Sequence, residues 1–127
     1  MKILVVDDNV ELAEMIAAHL RLYAHDVVVA LDGASALRAV RREQVDAILL
    51  DVGLPDVSGY EVARTLRDGI LQRKAVIALF TGDGEPSFDR AKAVGVDLVL
   101  RKPLAPDELR ILLGFLHDRR QQRVVLT

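Results

Sequence analysis

The chain has 127 residues, 51% of them hydrophobic and 28% charged, which suits one domain with a well-buried core. With 4% aromatic residues, no tryptophan and a net charge of −2, the composition argues against direct binding of nucleic acid or of anionic membranes. The absence of cysteine excludes disulfides and thiolate metal sites. No signal peptide or membrane-spanning run is evident, so a cytoplasmic protein is expected.

Five short apolar runs without polar alternation predict strands that are buried on both faces of a parallel sheet. They are Ile3–Val6, Val27–Ala30, Ala47–Leu50, Ala75–Phe80 and Leu98–Leu100. Segments with helical spacing lie between and after these runs. Their expected core residues are, in chain order, Leu12, Met15, Ile16 and Leu20; Ala36, Leu37 and Val40; Val62, Ala63 and Leu66; Phe88, Ala91 and Val94; and Leu109, Leu112, Leu113 and Leu116. The alternation predicts an α/β domain with right-handed crossovers.

Residues with special backbone or capping preferences predict the helix ends. Asn9 and Asp32 are expected to be N-caps, and Ser58 with Glu61 has the spacing of a capping box. Prolines suit first helical positions, and a glycine suits the position just after a helix. The residues concerned are Pro86, Pro106 and Gly95.

Polar residues directly follow four of the five predicted strands. Asp7 and Asp8 follow the first strand, Asp51 the third and Thr81 the fourth, and the fifth strand runs into Arg101 and Lys102. In a parallel sheet these ends share one edge, where ligands of open α/β sheets bind. Three neighbouring carboxylates repel one another unless a cation is present, and all-oxygen ligands with room for water and phosphate favour Mg²⁺. One carboxylate could then attack phosphorus, helped by the lysine charge and the threonine hydroxyl.

These residues give the sequence a resemblance to the response-regulator receiver domain over roughly residues 2 to 118. The motifs that carry it are Asp7-Asp8, the run Asp-Val-Gly-Leu-Pro-Asp-Val-Ser-Gly from Asp51 to Gly59, Thr81-Gly82 and Lys102-Pro103. The resemblance implies a flavodoxin-like three-layer (βα)5 sandwich around a parallel five-stranded sheet in the order 2-1-3-4-5. We expect the receiver domain to span residues 1–118, with a C-terminal tail over 119–127.

The resemblance also implies a role for each metal-binding position. Asp51 is the acceptor of a phosphoryl group from the phosphohistidine of a histidine kinase. Asp8 binds Mg²⁺ directly and Asp7 does so through water, while Asp51 and the backbone carbonyl of Gly53 complete the protein ligands.

Two further positions complete the implied site. Thr81 turns toward the phosphoryl group after phosphorylation, and Lys102 pairs with its oxygens. The Lys102–Pro103 peptide bond is implied to be cis.

On this hypothesis the domain belongs to a two-component or phosphorelay pathway. Its partners are a sensor histidine kinase or phosphotransfer protein and a downstream output domain or protein, with a homodimer as a further possibility. It catalyses only its own phosphorylation and dephosphorylation and turns over no outside substrate.

Three positions depart from the common pattern of the family. Val99 lies three residues before Lys102, where many receivers carry an aromatic residue that swings inward on activation, so that switch cannot operate here. Ser58 replaces the more usual Asp or Asn and should cap the helix equally well. Asp83 lies at a position that influences the access of water to the phosphoryl group.

Two other functions stay open on the sequence alone. A Mg²⁺-dependent phosphohydrolase with an aspartyl intermediate commonly needs a second aspartate two residues after the nucleophile, and Gly53 occupies that position. A receiver-like interaction module that is not phosphorylated would usually have lost one member of the acid, threonine and lysine set.

Overall fold

The computed structural model describes residues 1–70, 75–82, 87–102 and 106–121. The strands are β1 (Lys2–Val6), β2 (Asp26–Ala30), β3 (Ala47–Asp51), β4 (Val76–Thr81) and β5 (Leu98–Arg101). The helices are α1 (Val10–Leu22), α2 (Gly33–Arg42), α3 (Gly59–Thr65), α4 (Phe88–Ala93) and α5 (Pro106–Gln121). A π-helical segment, Leu66–Ile70, directly continues α3.

The strands within these ranges form one parallel sheet in the order β2-β1-β3-β4-β5, as predicted. In the register, Val5 of β1 lies opposite Val29 of β2 on one side and Leu49 of β3 on the other. The strand order therefore reverses between β1 and β3. In such sheets the crevice for ligands opens at the carboxyl ends of the two strands at the reversal.

The core lies on both faces of the sheet because successive side chains of each strand point to opposite sides. Ile3 and Val5 of β1 join a cluster with α1 and α5, whereas Leu4 and Val6 join a second cluster with α2, α3 and α4. Apolar residues are needed at every position of such a strand, which explains the absence of polar alternation in the sequence. The result is the predicted three-layer sandwich.

Most predicted helix ends are confirmed. The Asn9 side chain accepts the Leu12 N–H at 3.1 Å, and the Asp32 side chain accepts the Ser35 N–H at 2.7 Å. Ser58 also caps its helix, but its hydroxyl accepts the Tyr60 N–H at 3.1 Å, so the predicted capping-box geometry with Glu61 is wrong.

The end of α4 has the backbone pattern that glycine favours. Gly95 has a φ of +84°, as expected for the residue after the C-cap. Its N–H donates to the Lys92 carbonyl at 3.1 Å, and the Val96 N–H donates to the Ala91 carbonyl at 2.9 Å. These two bonds form a Schellman motif, which satisfies carbonyls at the end of the helix.

Two expected core residues are exposed instead. Met15 is 61% exposed because Ala13, Ile16, Ala17 and Leu20 form the buried stripe of α1. Phe88 is 64% exposed, and the buried ring near the start of α4 belongs to Tyr60, whose hydroxyl accepts the Ser87 N–H at 3.3 Å.

Of the two helix starts predicted at prolines, one is confirmed and the other is wrong. The fourth helix begins at Phe88 behind an N-cap at Ser87, not at Pro86, which lies outside the described residues. The fifth begins at Pro106 as predicted. It runs to Gln121, and the division into a domain over 1–118 and a tail over 119–127 stays a prediction.

Among the helices of the described ranges, none combines the length and the apolar character that crossing a membrane requires.

Candidate functional site

The sheet brings three carboxylates together at its carboxyl edge. Val6 and Leu50 are partners in the register of β1 and β3, so Asp7 and Asp51 follow at the same level of the sheet. Asp7 and Asp51 are buried, whereas the neighbouring Asp8 is exposed. One oxygen from each of the three carboxylates lies within 4.8 Å of the others, which is close enough to hold a single metal ion.

Asp7 and Asp51 are oriented by the same local device. Oδ1 of Asp7 accepts the N–H of Asn9 at 2.9 Å, and Oδ1 of Asp51 accepts the N–H of Gly53 at 3.1 Å. Each contact reaches two residues ahead, as in an Asx turn. One oxygen of each carboxylate is thus committed to the loop that follows the strand, which leaves Oδ2 available at the site.

The two remaining oxygens face the ammonium group of Lys102. Nζ of Lys102 lies 3.2 Å from Oδ2 of Asp7 and 3.4 Å from Oδ2 of Asp51. Oδ2 of Asp7 is fully buried and accepts no well-formed hydrogen bond from the part of the chain that the structure describes, so the lysine contact is electrostatic. A buried charged oxygen without hydrogen bonds is costly, and it is a ready ligand for a cation.

The end of the sheet directs Lys102 to this position. Its backbone N–H donates to the Thr81 carbonyl at 2.8 Å, which extends the pairing of β4 and β5 by one residue. Its ammonium lies 5.1 Å from the ring centre of Phe80, whose side chain is fully buried. The aromatic face adds a cation–π attraction to the two ionic contacts.

The loop after β3, residues 52–58, folds back onto the strand that precedes it. Gly53 and Ser58 form an antiparallel bridge, and the Gly59 N–H donates to the Val52 carbonyl at 2.9 Å. A side chain at Gly59 would overlap the backbone carbonyl of Asp51. Glycine is therefore required here by the close approach of two backbones, and this contact fixes the start of α3 against the end of β3.

Asp56, near the tip of this loop, makes contacts that the sequence did not suggest. Its carboxylate accepts the N–H groups of Gly33 at 2.9 Å and of Ala34 at 3.0 Å, both in the first turn of α2. These bonds lower the pKa of Asp56 below its ordinary value. A loop aspartate before Val57 gives no local signal for this role, because its partners are more than twenty residues away in the chain.

The structure brings together four of the predicted site residues, namely Asp7, Asp8, Asp51 and Lys102. Thr81 is the half-buried last residue of β4, one position beyond the pairing of Asp51 with Phe80.

Three further positions were singled out by the resemblance to the family. Val99 lies in β5 opposite Leu79 and packs against the second core cluster. Asp83 and Pro103, with the predicted cis bond, lie outside the described residues.

Comparison with known proteins gives the same class of protein as the fold and the acidic site. The family model described as "Response regulator receiver domain" matches residues 3–113. The "Probable transcriptional regulatory protein TcrX" of Mycobacterium tuberculosis is 48% identical over 120 residues, which are 92% of this chain and 50% of TcrX. The alkaline phosphatase synthesis transcriptional regulatory protein PhoP of Bacillus subtilis is 37% identical over 112 residues, 85% of this chain and 45% of PhoP.

A solved structure supports this likeness over nearly a whole molecule. The chemotaxis response regulator CheY4 of Vibrio cholerae superposes with a TM-score of 0.84 at 29% identity, covering 91% of this chain and 97% of CheY4. The chain therefore belongs to the response regulator receiver domain family, as its motifs predicted. It spans about half the length of the curated relatives that it matches.

Proposed function

We propose that this chain accepts a phosphoryl group on Asp51, in a reaction that depends on Mg²⁺, and that this changes its interactions with other proteins. The observation that carries the proposal is the surroundings of the Asp51 carboxylate. It is buried at the carboxyl edge of the sheet, 3.4 Å from an ammonium and beside two further carboxylates. These are a nucleophile, a positive charge for phosphoryl oxygens and a set of metal ligands in one place.

The residues present fit a magnesium ion. The donors are all oxygens, and Oδ2 of Asp7 is buried with only the electrostatic contact of Lys102 among the residues described. We assign Asp7, Asp8, Asp51 and the backbone carbonyl of Gly53 as the residues that hold the ion. When bound, Mg²⁺ would supply positive charge that offsets the repulsion between these carboxylates and an incoming phosphate.

The transfer forms one bond and breaks one. A carboxylate oxygen of Asp51 attacks phosphorus and forms a P–O bond, while the bond from phosphorus to the donor breaks and its electron pair leaves with the donor. For a phosphohistidine donor the broken bond is P–N, and the imidazole takes up a proton as it leaves. Asp51 enters as a carboxylate and becomes a mixed anhydride, so no general base is required to activate it.

Lys102 and Thr81 serve the phosphorylated state. Lys102 already contacts the carboxylates of both Asp7 and Asp51. Once Asp51 is phosphorylated, its carboxyl group no longer carries a negative charge, and the ammonium of Lys102 can pair with the phosphoryl oxygens instead. The Thr81 hydroxyl can donate a hydrogen bond to the same oxygens. Because Val99 lacks a ring, we propose that phosphorylation is transmitted through Thr81 and shifts of the adjoining loops.

We propose that the domain acts in a two-component or phosphorelay pathway, with a sensor histidine kinase or phosphotransfer protein as donor. The relatives TcrX and PhoP are named as transcriptional regulatory proteins and are about twice as long as this chain. We therefore propose an output domain or protein as the recipient of the signal, and a homodimer as one form of the output. We propose no turnover of an outside substrate, and a cytoplasmic location stays a prediction.

The test is to incubate the protein with Mg²⁺ and acetyl phosphate and to measure the intact mass. We expect a gain of one phosphoryl group that hydroxylamine removes, as it does from acyl phosphates, and that chelation of Mg²⁺ prevents. Asp51→Asn should abolish the gain. The matched control is Asp26→Asn, at the start of β2 and the opposite end of the sheet, which should leave the gain unchanged.

A mass gain that persists in Asp51→Asn would show that another residue is the acceptor. Steady release of phosphate from small phosphomonoesters, without accumulation of a modified protein, would instead support the phosphohydrolase.

A further inference from the structure

The loop after β3 is held against the start of α2 by the side chains of two neighbouring residues. The Asp56 carboxylate accepts N–H groups from Gly33 and Ala34, and so supplies a cap to α2 from outside that helix. The neighbouring Val57 packs on the same helix start, where a side chain on Gly33 would lie 2.6 Å from a methyl carbon of Val57. The tip of the loop is therefore fixed to α2 by hydrogen bonds and by packing.

Gly53, at the other side of the tip, has little packing of its own. It is exposed, and a side chain built on it would meet nothing within 4 Å. Its position depends on its N–H bond to Asp51, on its bridge to Ser58 and on the chain that leads to Asp56.

The segment from Gly53 to Asp56 is short and stiff. Pro55 fixes its own φ, and Leu54 is restricted because it precedes a proline. A displacement of Asp56 is therefore passed on to Gly53 with little loss, because only two residues separate them and both have restricted backbones.

We propose that Asp56 is a positioning residue for the metal site, holding the loop against α2 so that Gly53 keeps the position from which its carbonyl can serve as a ligand beside Asp7, Asp8 and Asp51. The inference rests on the proposed function, in which that carbonyl is a metal ligand. Asp56 itself touches neither the metal nor the phosphoryl group. Its effect is on the affinity for Mg²⁺, through the geometry of the ligand set.

The structure provides a matched control on the same helix. Asp32 caps α2 through the N–H of Ser35 at 2.7 Å, so both aspartates satisfy donors of the first turn. Only Asp56 belongs to the loop that carries Gly53. Loss of either carboxylate should weaken the start of α2, whereas only loss of Asp56 should release the loop.

The experiment measures the Mg²⁺ dissociation constant by calorimetry for the wild type, Asp56→Ala, Asp56→Asn and Asp32→Ala. We expect Asp56→Ala to weaken binding about tenfold, the lower end for residues that orient metal ligands without binding the metal themselves. Asp56→Asn should lose less, because its amide oxygen can still accept one N–H. Asp32→Ala should bind as the wild type does, although it also loses stability.

Two further readouts separate positioning from a general loss of structure. The amide resonance of Gly53 should shift in Asp56→Ala and stay in place in Asp32→Ala. In the reaction with acetyl phosphate, Asp56→Ala should raise the Mg²⁺ concentration needed for half-maximal rate by a larger factor than it lowers the maximal rate.

Equal weakening of Mg²⁺ binding by Asp56→Ala and Asp32→Ala would overturn the inference, and so would wild-type affinity in Asp56→Ala. Should Asp56→Ala fail to fold, unchanged affinity in Asp56→Asn would overturn it as well. Failure of the proposed function looks different. Asp51 would then stay unmodified in the wild type, even if Mg²⁺ binds and its affinity depends on Asp56. A wild type that binds no Mg²⁺ would overturn both.

Discussion

Oδ2 of Asp51 lies 3.4 Å from Nζ of Lys102, and the same ammonium is 3.2 Å from the fully buried Asp7. The lysine is thus the positive charge that stabilises two closely spaced carboxylates. A bound cation would act on the same oxygens. Lys102 and a metal ion therefore perform related electrostatic roles, and removing the lysine should make the protein depend more strongly on the ion.

Lys102→Met tests this relation. Without a bound metal the variant should lose about 3 kcal/mol in the free energy of unfolding, because a buried carboxylate is left without its partner. Mg²⁺ should bind more tightly than to the wild type, since one repelling positive charge is gone, and should raise the melting temperature by more. Phosphorylation by acetyl phosphate should nonetheless be slower. Thermal unfolding with and without Mg²⁺ gives the first two results, and mass measurements over time give the third.

Lys92→Met, on the exposed face of α4, is the control and should change none of these quantities. A Lys102→Met protein as stable as the wild type in the absence of metal would contradict the electrostatic account of the site.

The sequence predicted those features that depend on neighbours in the chain or on the sheet as a whole. Asp7, Asp51 and Lys102 could be assigned because each follows an apolar run, and parallel strands place such residues at one edge. Met15 was wrongly predicted to be buried. Helical spacing leaves open the rotation of the helix about its own axis, and small residues such as Ala13 pack against the sheet instead of Met15. Asp56 could not be assigned, because its partners lie in a different helix and no local pattern links them.

Ala24 follows the C-cap of α1 with a φ of +66°, the region that glycine adopts most easily. A left-handed conformation costs a residue with a side chain roughly 1–2 kcal/mol. Ala24→Gly should therefore stabilise the protein by about 0.5–1 kcal/mol, after the greater freedom of glycine in the unfolded chain is deducted. Urea unfolding measures the change. Ala18→Gly, at an exposed position inside the same helix, should instead destabilise by about 1 kcal/mol. A loss of stability in both variants would contradict the prediction.

Stability in acid should depend on Asp32. Its pKa is lowered by hydrogen bonds from the side chain and the backbone N–H of Ser35. Its contribution is complete above the ordinary pKa of an aspartate, about 4, and is lost as the pH falls through the lower pKa of the folded protein. Asn caps helices about as well as Asp but does not titrate. Asp32→Asn should therefore match the wild type near neutral pH and lose less stability on acidification.

Unfolding in urea at several pH values between neutral and acidic measures this difference. Asp56→Asn should likewise lose less stability than the wild type as the pH falls, because the N–H groups of Gly33 and Ala34 lower the pKa of Asp56. Curves for Asp32→Asn that run parallel to the wild type down to acidic pH would contradict the prediction.

Arg67 and Arg64 lie one turn apart but should differ greatly in their contributions to stability. Arg67 donates to the Gly95 carbonyl at 2.8 Å and the Ala75 carbonyl at 2.6 Å, and its ion pair with Asp97 at 2.6 Å is mostly buried. Arg67→Met should destabilise by about 3 kcal/mol, the lower end for breaking a buried pair. We expect this lower value because Asp97 still accepts the Ile77 N–H when the guanidinium of Arg67 is removed.

The matched variant is Arg64→Met, which removes the ion pair of Arg64 with Asp68 at 3.9 Å between two exposed side chains. It should cost less than about 1 kcal/mol, because water screens such a pair and both side chains are free to move. Urea unfolding of both variants gives the comparison, provided that the slope of the transition is unchanged. Similar small losses in the two variants would mean that the buried guanidinium contributes no more than a surface one, and that other contacts hold the π-helical segment against β4 and the start of β5.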